Sequence, residues 1–173
     1  MIDPNFKPGL EGVIAAETAI SYLDVENEQI VIRGYDLIEL ARRVKYIDVV
    51  ALLIEGTLPG EEQRTEWENN LRRESTFPEA LWSVLSYDAP HKVPMDVLRT
   101  GISALAAFDD ELDDRSTAAS KRKALRLLAK IPAIVANSGR PEQPIKPRAD
   151  LSFTANFLYM LTGKEPLPEH EAV

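Results

Sequence analysis

VPMDVLRTGISALAAF, residues 93–108, is the stretch whose reading decides the fold. Pro94 fits the first turn of a helix, where its missing N–H costs nothing. Asp96 places a carboxylate at the positive end of the helix dipole. Val97, Leu98, Ile102, Leu105 and Phe108 supply bulk, while Gly101, Ser103, Ala104, Ala106 and Ala107 supply flat surface. The pattern predicts a helix of about 14 residues, about 21 Å long, apolar nearly all round. A surface helix shows a polar face, so this one is expected either as a central core helix or as a core helix that also meets a second subunit. Gly101 costs about 1 kcal/mol relative to Ala inside a helix, a cost that makes sense where something packs tightly against it.

The 173 residues carry a net charge of −8, with 45% apolar and 28% charged residues. That length supports one domain with a sizeable core. The acidic balance argues against a nucleic-acid or anionic-membrane partner. The chain has no cysteine, which excludes disulfides, thiolate metal sites and a cysteine nucleophile. MIDPNFKPGL at the start has no apolar core of a signal peptide. No apolar run approaches the ~20 residues of a membrane span. A cytoplasmic location is expected.

Residues 1–9 read as a loose arm broken by Pro4 and Pro8. Ile20–Asp24 and Gln29–Arg33, β-branched and aromatic around a polar turn at Val25–Glu28, predict a hairpin, and nothing later reads as a strand. Helical spacing begins near Tyr35, with Leu37, Leu40, Ala41 and Val44 on one face. Ile47–Glu55 is a second helix with Gly56 at its C-terminal cap. Glu61–Glu74 is a charged surface helix whose stripe is Trp67 and Leu71. Pro78 opens a helix with Leu81, Trp82, Val84 and Leu85 inward, and Asp88–Lys92 is a loop. Asp109–Asp114, DDELDD, lacks the Gly and ligand spacing of a calcium loop and reads as a solvated acidic loop. Ser116 caps a helix running to about Asn137. Its inward residues are expected to be Ala124, Leu127, Leu128, Ile131, Ile134 and Val135, with a kink or break at Pro132. Lys121, Arg122, Lys123, Arg126 and Lys130 form a basic cluster, read as a face balancing the acidic loop or, alternatively, as a phosphate or nucleic-acid contact. Gly139–Arg148 is a proline-bearing connection. Leu151–Thr162 is a last helix with Phe153, Phe157, Leu158 and Leu161 on one side and Gly163 at its end.

The residues themselves display no active site. His91 and His170 stand far apart in expected loops, and neither a zinc-protease helix, a phosphate loop nor a nucleophile elbow is present. No catalytic, cofactor-binding or metal-ligating residue is assigned.

The motifs add what spacing does not. PGLEGVIAAETAISYLD, IRGYDLIELA (32–41), LLIEGTLP (52–59), PMDVLRTGISAL (94–105) and NFLYMLTGK (156–164) resemble, in that order, the N-terminal part of the citrate synthase family. The likeness runs from about Pro8 to Glu169 and is nearest the short bacterial citrate and 2-methylcitrate synthases, with a tilt toward the latter. Many relatives place His directly before Pro-Met-Asp, where this chain has Val93. The resemblance implies a mainly α fold with a small N-terminal β-hairpin, forming the N-terminal part of the large helical domain. It implies a homodimer built on the helices near Pro94–Phe108 and Ser116–Asn137. The implied reaction joins acetyl-CoA or propionyl-CoA to oxaloacetate, with acyl-CoA as substrate and no cofactor. It needs a carboxylate base, histidine donors to an enol oxygen and arginines for the substrate carboxylates. Family members run to roughly twice this length, so these groups and the small CoA-binding domain are expected outside the chain. It is then expected to be inactive alone. The alternative is a non-catalytic interaction or dimerisation module derived from that scaffold.

Overall fold

The computed structural model describes Gly9, residues 12–86 and residues 93–171. The expected arm, Gly9 apart, and the expected loop with His91 lie outside the described residues. The chain divides into two compact units, Met1–Pro59 and Gly60–Val173. The fold is mainly α, with one small antiparallel sheet.

In the first unit, β1 (Ser21–Asp24) pairs with β2 (Gln29–Ile32) as the sequence predicts. The Asp24 carboxylate accepts the Asn27 backbone N–H at 3.0 Å and steadies the turn. A third strand, β3 (Tyr35–Asp36), corrects the expectation of a lone hairpin. Arg33 and Gly34 between β2 and β3 have φ of 50° and 88°, the two positive values that a two-residue type I′ turn demands. Tyr35 is therefore strand, and helix α1 (Leu37–Arg43) starts after Asp36, whose carboxylate accepts the N–H groups of Ile38 and Glu39 at 2.9 and 3.0 Å. Of the expected α1 face only Leu40 is buried. Helix α2 (Tyr46–Glu55) supplies most of the unit's core through Ile47, Val50, Ala51 and Leu52. Buried Asp48 accepts the Lys45 N–H at 3.0 Å, and Gly56 ends the helix in the left-handed region at φ 92°.

The second unit is a helical cluster. Helix α3 (Glu61–Glu74) buries Leu71 completely. Helix α4 (Glu79–Ser86) buries Leu81, Trp82 and Leu85 but leaves Val84 exposed, against expectation. Helix α5 (Pro94–Leu105) continues as a 3-10 turn at Ala106–Phe108. Helix α6 (Thr117–Asn137) begins under the Ser116 hydroxyl, which accepts the Ala119 N–H at 3.2 Å. It runs unbroken through Pro132. Helix α7 (Phe153–Thr162) is capped by Ser152 and ends at Gly163, φ 74°. A short helix, α8 (Pro168–Glu171), follows. Helices α3, α5 and α7 all pack on α6, and α4 packs on α5. Leu81, Trp82, Leu85, Val97, Ile134 and Met160 are the bulk of the core.

Candidate functional site

The strongest candidate is the paired helices α5 and α6. Val97, Gly101 and Leu105, four residues apart, are the buried line of α5. Gly101 lets α6 come close: a Cβ placed there would stand 3.0 Å from Cδ1 of Ile134. The close approach that Gly101 suggested is therefore real. The expectation of a helix buried all round is not met within this chain, because Met95 and Phe108 are 67% and 48% exposed.

Helix α6 departs further from its sequence reading. Ile134 is buried, but Leu127 and Val135 are each 37% exposed, and Ala124, Leu128 and Ile131 are half-buried. The buried positions are Ala119, Ala129, Ala133, Ile134, Ala136 and Asn137. The reason is geometric: three helices close on α6, and small side chains allow their backbones to approach. Ala124, Leu127, Ile131 and Val135 are left as a stripe at 3–4 residue spacing, one face of a helix. Among the described residues this stripe is only partly covered.

The basic cluster of α6 is committed elsewhere. Arg126 donates to Asp109 (Nη2–Oδ1, 2.8 Å) and to Glu111 (Nη1–Oε2, 2.8 Å). Arg122 also pairs with Glu111, and Lys123 Nζ donates to the Leu112 and Asp114 carbonyls. The two guanidinium groups, Arg122 first, hold the Glu111 carboxyl down to about 2. Partial burial pushes Asp109 up, but the Glu111 N–H and Arg126 outweigh it and keep Asp109 below the usual carboxylate range. Lys130 donates to the Glu74 carbonyl at 2.8 Å, closing the end of α3, and burial pushes its ammonium down. The acidic loop stays exposed at Asp110, Asp113 and Asp114, as expected, and is braced by the basic helix at Asp109 and Glu111, which leaves Arg122 and Arg126 little call for phosphate.

Sequence reasoning missed two buried amides. Asn137 accepts the Ile145 N–H at 2.7 Å and donates to the Ile145 and Ala133 carbonyls at 3.1 and 2.9 Å. Asn156 accepts the Arg148 N–H at 2.7 Å and donates back to the Arg148 carbonyl. Together they pin the 139–148 connection to α6 and α7. Arg140 donates to the Met160 and Leu161 carbonyls at the end of α7. An Asn inside an otherwise apolar helical run was the available signal, since it must find partners when buried.

A cleft of about 360 Å³ beside α3 and α4 is lined by Arg72, Phe77, Trp82, Lys146 and Arg148, among others. Lys146 is paired with Glu79 at 2.8 Å, and Arg148 with Asp150 and Glu165. His170 sits exposed on α8, its Nδ1 accepting the Leu167 N–H at 3.3 Å. Among the described residues no group of three or more His, Asp or Glu could hold a metal. Among them no helix is long and apolar enough to cross a membrane.

Comparison with known proteins agrees with the motifs. Residues 9–173 match the family described as "Citrate synthase, C-terminal domain". The citrate synthase of Heyndrickxia coagulans is 49% identical over 100% of this chain and 48% of its own length. The citrate/2-methylcitrate synthase of Bacillus subtilis (strain 168) is 48% identical over 98% of this chain and 46% of its own. The crystal structure of citrate synthase from Pyrobaculum aerophilum superposes with a TM-score of 0.87 at 30% identity, covering 99% of this chain and 46% of that one. The chain therefore spans about half the length of the relatives it matches. It belongs to the citrate synthase family.

Proposed function

We propose that this chain is the N-terminal half of a citrate or 2-methylcitrate synthase, the scaffold half of an enzyme that condenses acetyl-CoA or propionyl-CoA with oxaloacetate. The observation that carries the reading is a family match along nearly the whole chain that reaches only half the length of its relatives. The family description speaks of a C-terminal domain; the placement in the N-terminal half rests on the order of the motifs between Pro8 and Lys164. The catalytic base, the enol-stabilising donors and the carboxylate-binding arginines belong to the other half. That assignment fits the bonding seen here, in which Arg126, Arg140 and Arg148 are all committed to scaffold contacts. Acyl-CoA is the substrate and no cofactor is used. The complete enzyme works in the cytoplasm as a homodimer joined through α5 and α6.

The test is release of CoA from acetyl-CoA and propionyl-CoA with oxaloacetate, read with a thiol reagent. The chain has no cysteine to add background. The expected result is no release from the chain alone. Oxaloacetate-dependent release would refute the scaffold assignment. Light scattering of the full-length enzyme tests the dimer: Leu127→Glu with Val135→Glu should shift the mass to monomer, and an unchanged mass would refute that interface.

A further inference from the structure

The three-stranded sheet of the first unit leaves an apolar face open. Leu23 stands opposite Ile30 and Ile32 opposite Tyr35 in the register. Residues two apart on β2 share a face, so all four side chains project from one side. Leu23, Ile30 and Tyr35 are 63%, 44% and 43% exposed, and Ile32 is half-buried. No residue of the sheet is fully buried; among the described residues, the unit's buried side chains all lie on α1 and α2. A small sheet in water gains independent stability by covering such a face, and the described residues leave this one open.

We infer that this face, Leu23–Ile30–Ile32–Tyr35, is the docking surface for the complementary half of the citrate synthase fold. The inference rests on the proposed function, since it takes the missing half of the relatives as the occupant. Two observations select that occupant. The relatives contain about as much chain again as this one. The sheet is flanked at its β1–β2 turn by Asp24, Glu26 and Glu28. A second copy docked on the same face would bring a like-charged rim, which disfavours self-pairing, and an anionic lipid surface is disfavoured for the same reason.

The experiment pairs the 173-residue chain with the part of the Heyndrickxia coagulans citrate synthase that follows its matched half, produced as a separate polypeptide. Calorimetry should give a 1:1 complex. Leu23→Thr with Ile30→Thr keeps strand-forming residues while removing the apolar cover, and should weaken the complex at least tenfold. Unchanged affinity would overturn the inference. A fusion of the two halves in one polypeptide serves where the partner half is insoluble. There the double variant should lower the melting temperature of the fusion yet leave that of the 173-residue chain unchanged; equal melting of variant and parent fusions would overturn it. A variant that instead changes the self-association of the chain alone would assign the face to a second copy and overturn it too. CoA release is read separately. A fusion that responds to the substitutions but releases no CoA sinks the catalytic reading and supports the docking. One that releases CoA with no response to the substitutions sinks the docking alone.

Discussion

Gly101→Ala tests whether the α5–α6 contact is as tight as the geometry implies. The new Cβ would stand 3.0 Å from Ile134 Cδ1, 3.1 Å from Cγ2 and 3.4 Å from Cγ1. Ile134 is fully buried, and a β-branched side chain in a helix has essentially one χ1 rotamer, so it cannot swing aside. Helix propensity alone favours Ala by about 1 kcal/mol. Overpacking a filled core costs about 1–3 kcal/mol. The expected net effect is a loss of about 1 kcal/mol. Ile134→Val removes the nearest atom and alone costs about 0.5–1.5 kcal/mol. In the Gly101→Ala background that cost should shrink by at least ~0.5 kcal/mol, the coupling expected of residues in contact. Urea unfolding followed by tryptophan fluorescence is the assay. Both tryptophans, Trp67 and Trp82, lie in the same unit as the substitutions, and Trp82 shares the core with Ile134. The midpoint should move while the slope stays constant. A gain of about 1 kcal/mol for Gly101→Ala would mean propensity rules and the contact is slack, which refutes the argument.

Two further outcomes follow from the polar contacts. Asn137→Ala orphans the N–H and the carbonyl of Ile145 at about 1–3 kcal/mol for each group left unpaired; a loss of about 2–6 kcal/mol in the same assay is expected, and one below about 1 kcal/mol would show that water takes over. The Asp109 and Glu111 carboxyls lie below their ordinary values when folded, so the unfolded chain binds more protons in acid. Their stabilisation is present above the unfolded carboxyl range near pH 4 and fades as pH falls toward about 2. Arg126→Met should flatten that acid-side drop in melting temperature, and an unaltered pH profile would deny the brace its role.

Much of the fold was legible because its signals are local. Asp24–Gln29 turn chemistry, the Ser116 cap and the glycines at 56 and 163 each act within a few residues, and each stands where the sequence placed it. What failed was non-local. The β2–β3 turn uses Arg33–Gly34, not the Asn-Gly pair that announces such turns, so β3 went unread. Inward faces of α6 and α7 were phased on bulk, yet crowding by three neighbours gives the alanines of α6 the inside. On α7 it is Ala155, Asn156 and Met160 that are buried, while Leu161 is exposed. The Arg126 brace spans 15–17 residues and the Asn137–Ile145 contact spans eight, separations at which no periodicity speaks. The site was silent for a different reason: the two histidines, His91 and His170, stand far apart in sequence and no motif pairs either with a carboxylate.

The energetics of the α6 stripe set how firmly the chain alone should dimerise. Burying a whole Leu, Val, Met or Phe side chain is worth about 1.5–3 kcal/mol. Leu127 and Val135 have only 37% of their surface left to cover, Met95 and Phe108 67% and 48%. Counted on both copies of a two-fold interface, these residues offer roughly 8 kcal/mol. Association itself costs about 4–15 kcal/mol in lost freedom. The two nearly cancel, so on the proposed interface these residues by themselves fall far short of the about −8 kcal/mol that a micromolar dimer requires. Light scattering over a dilution series should therefore show the isolated chain at monomer mass throughout the micromolar range. A dimer that persists undiminished into the nanomolar range, where about −12 kcal/mol of binding is required, would show that the interface is far larger than α5 and α6 provide.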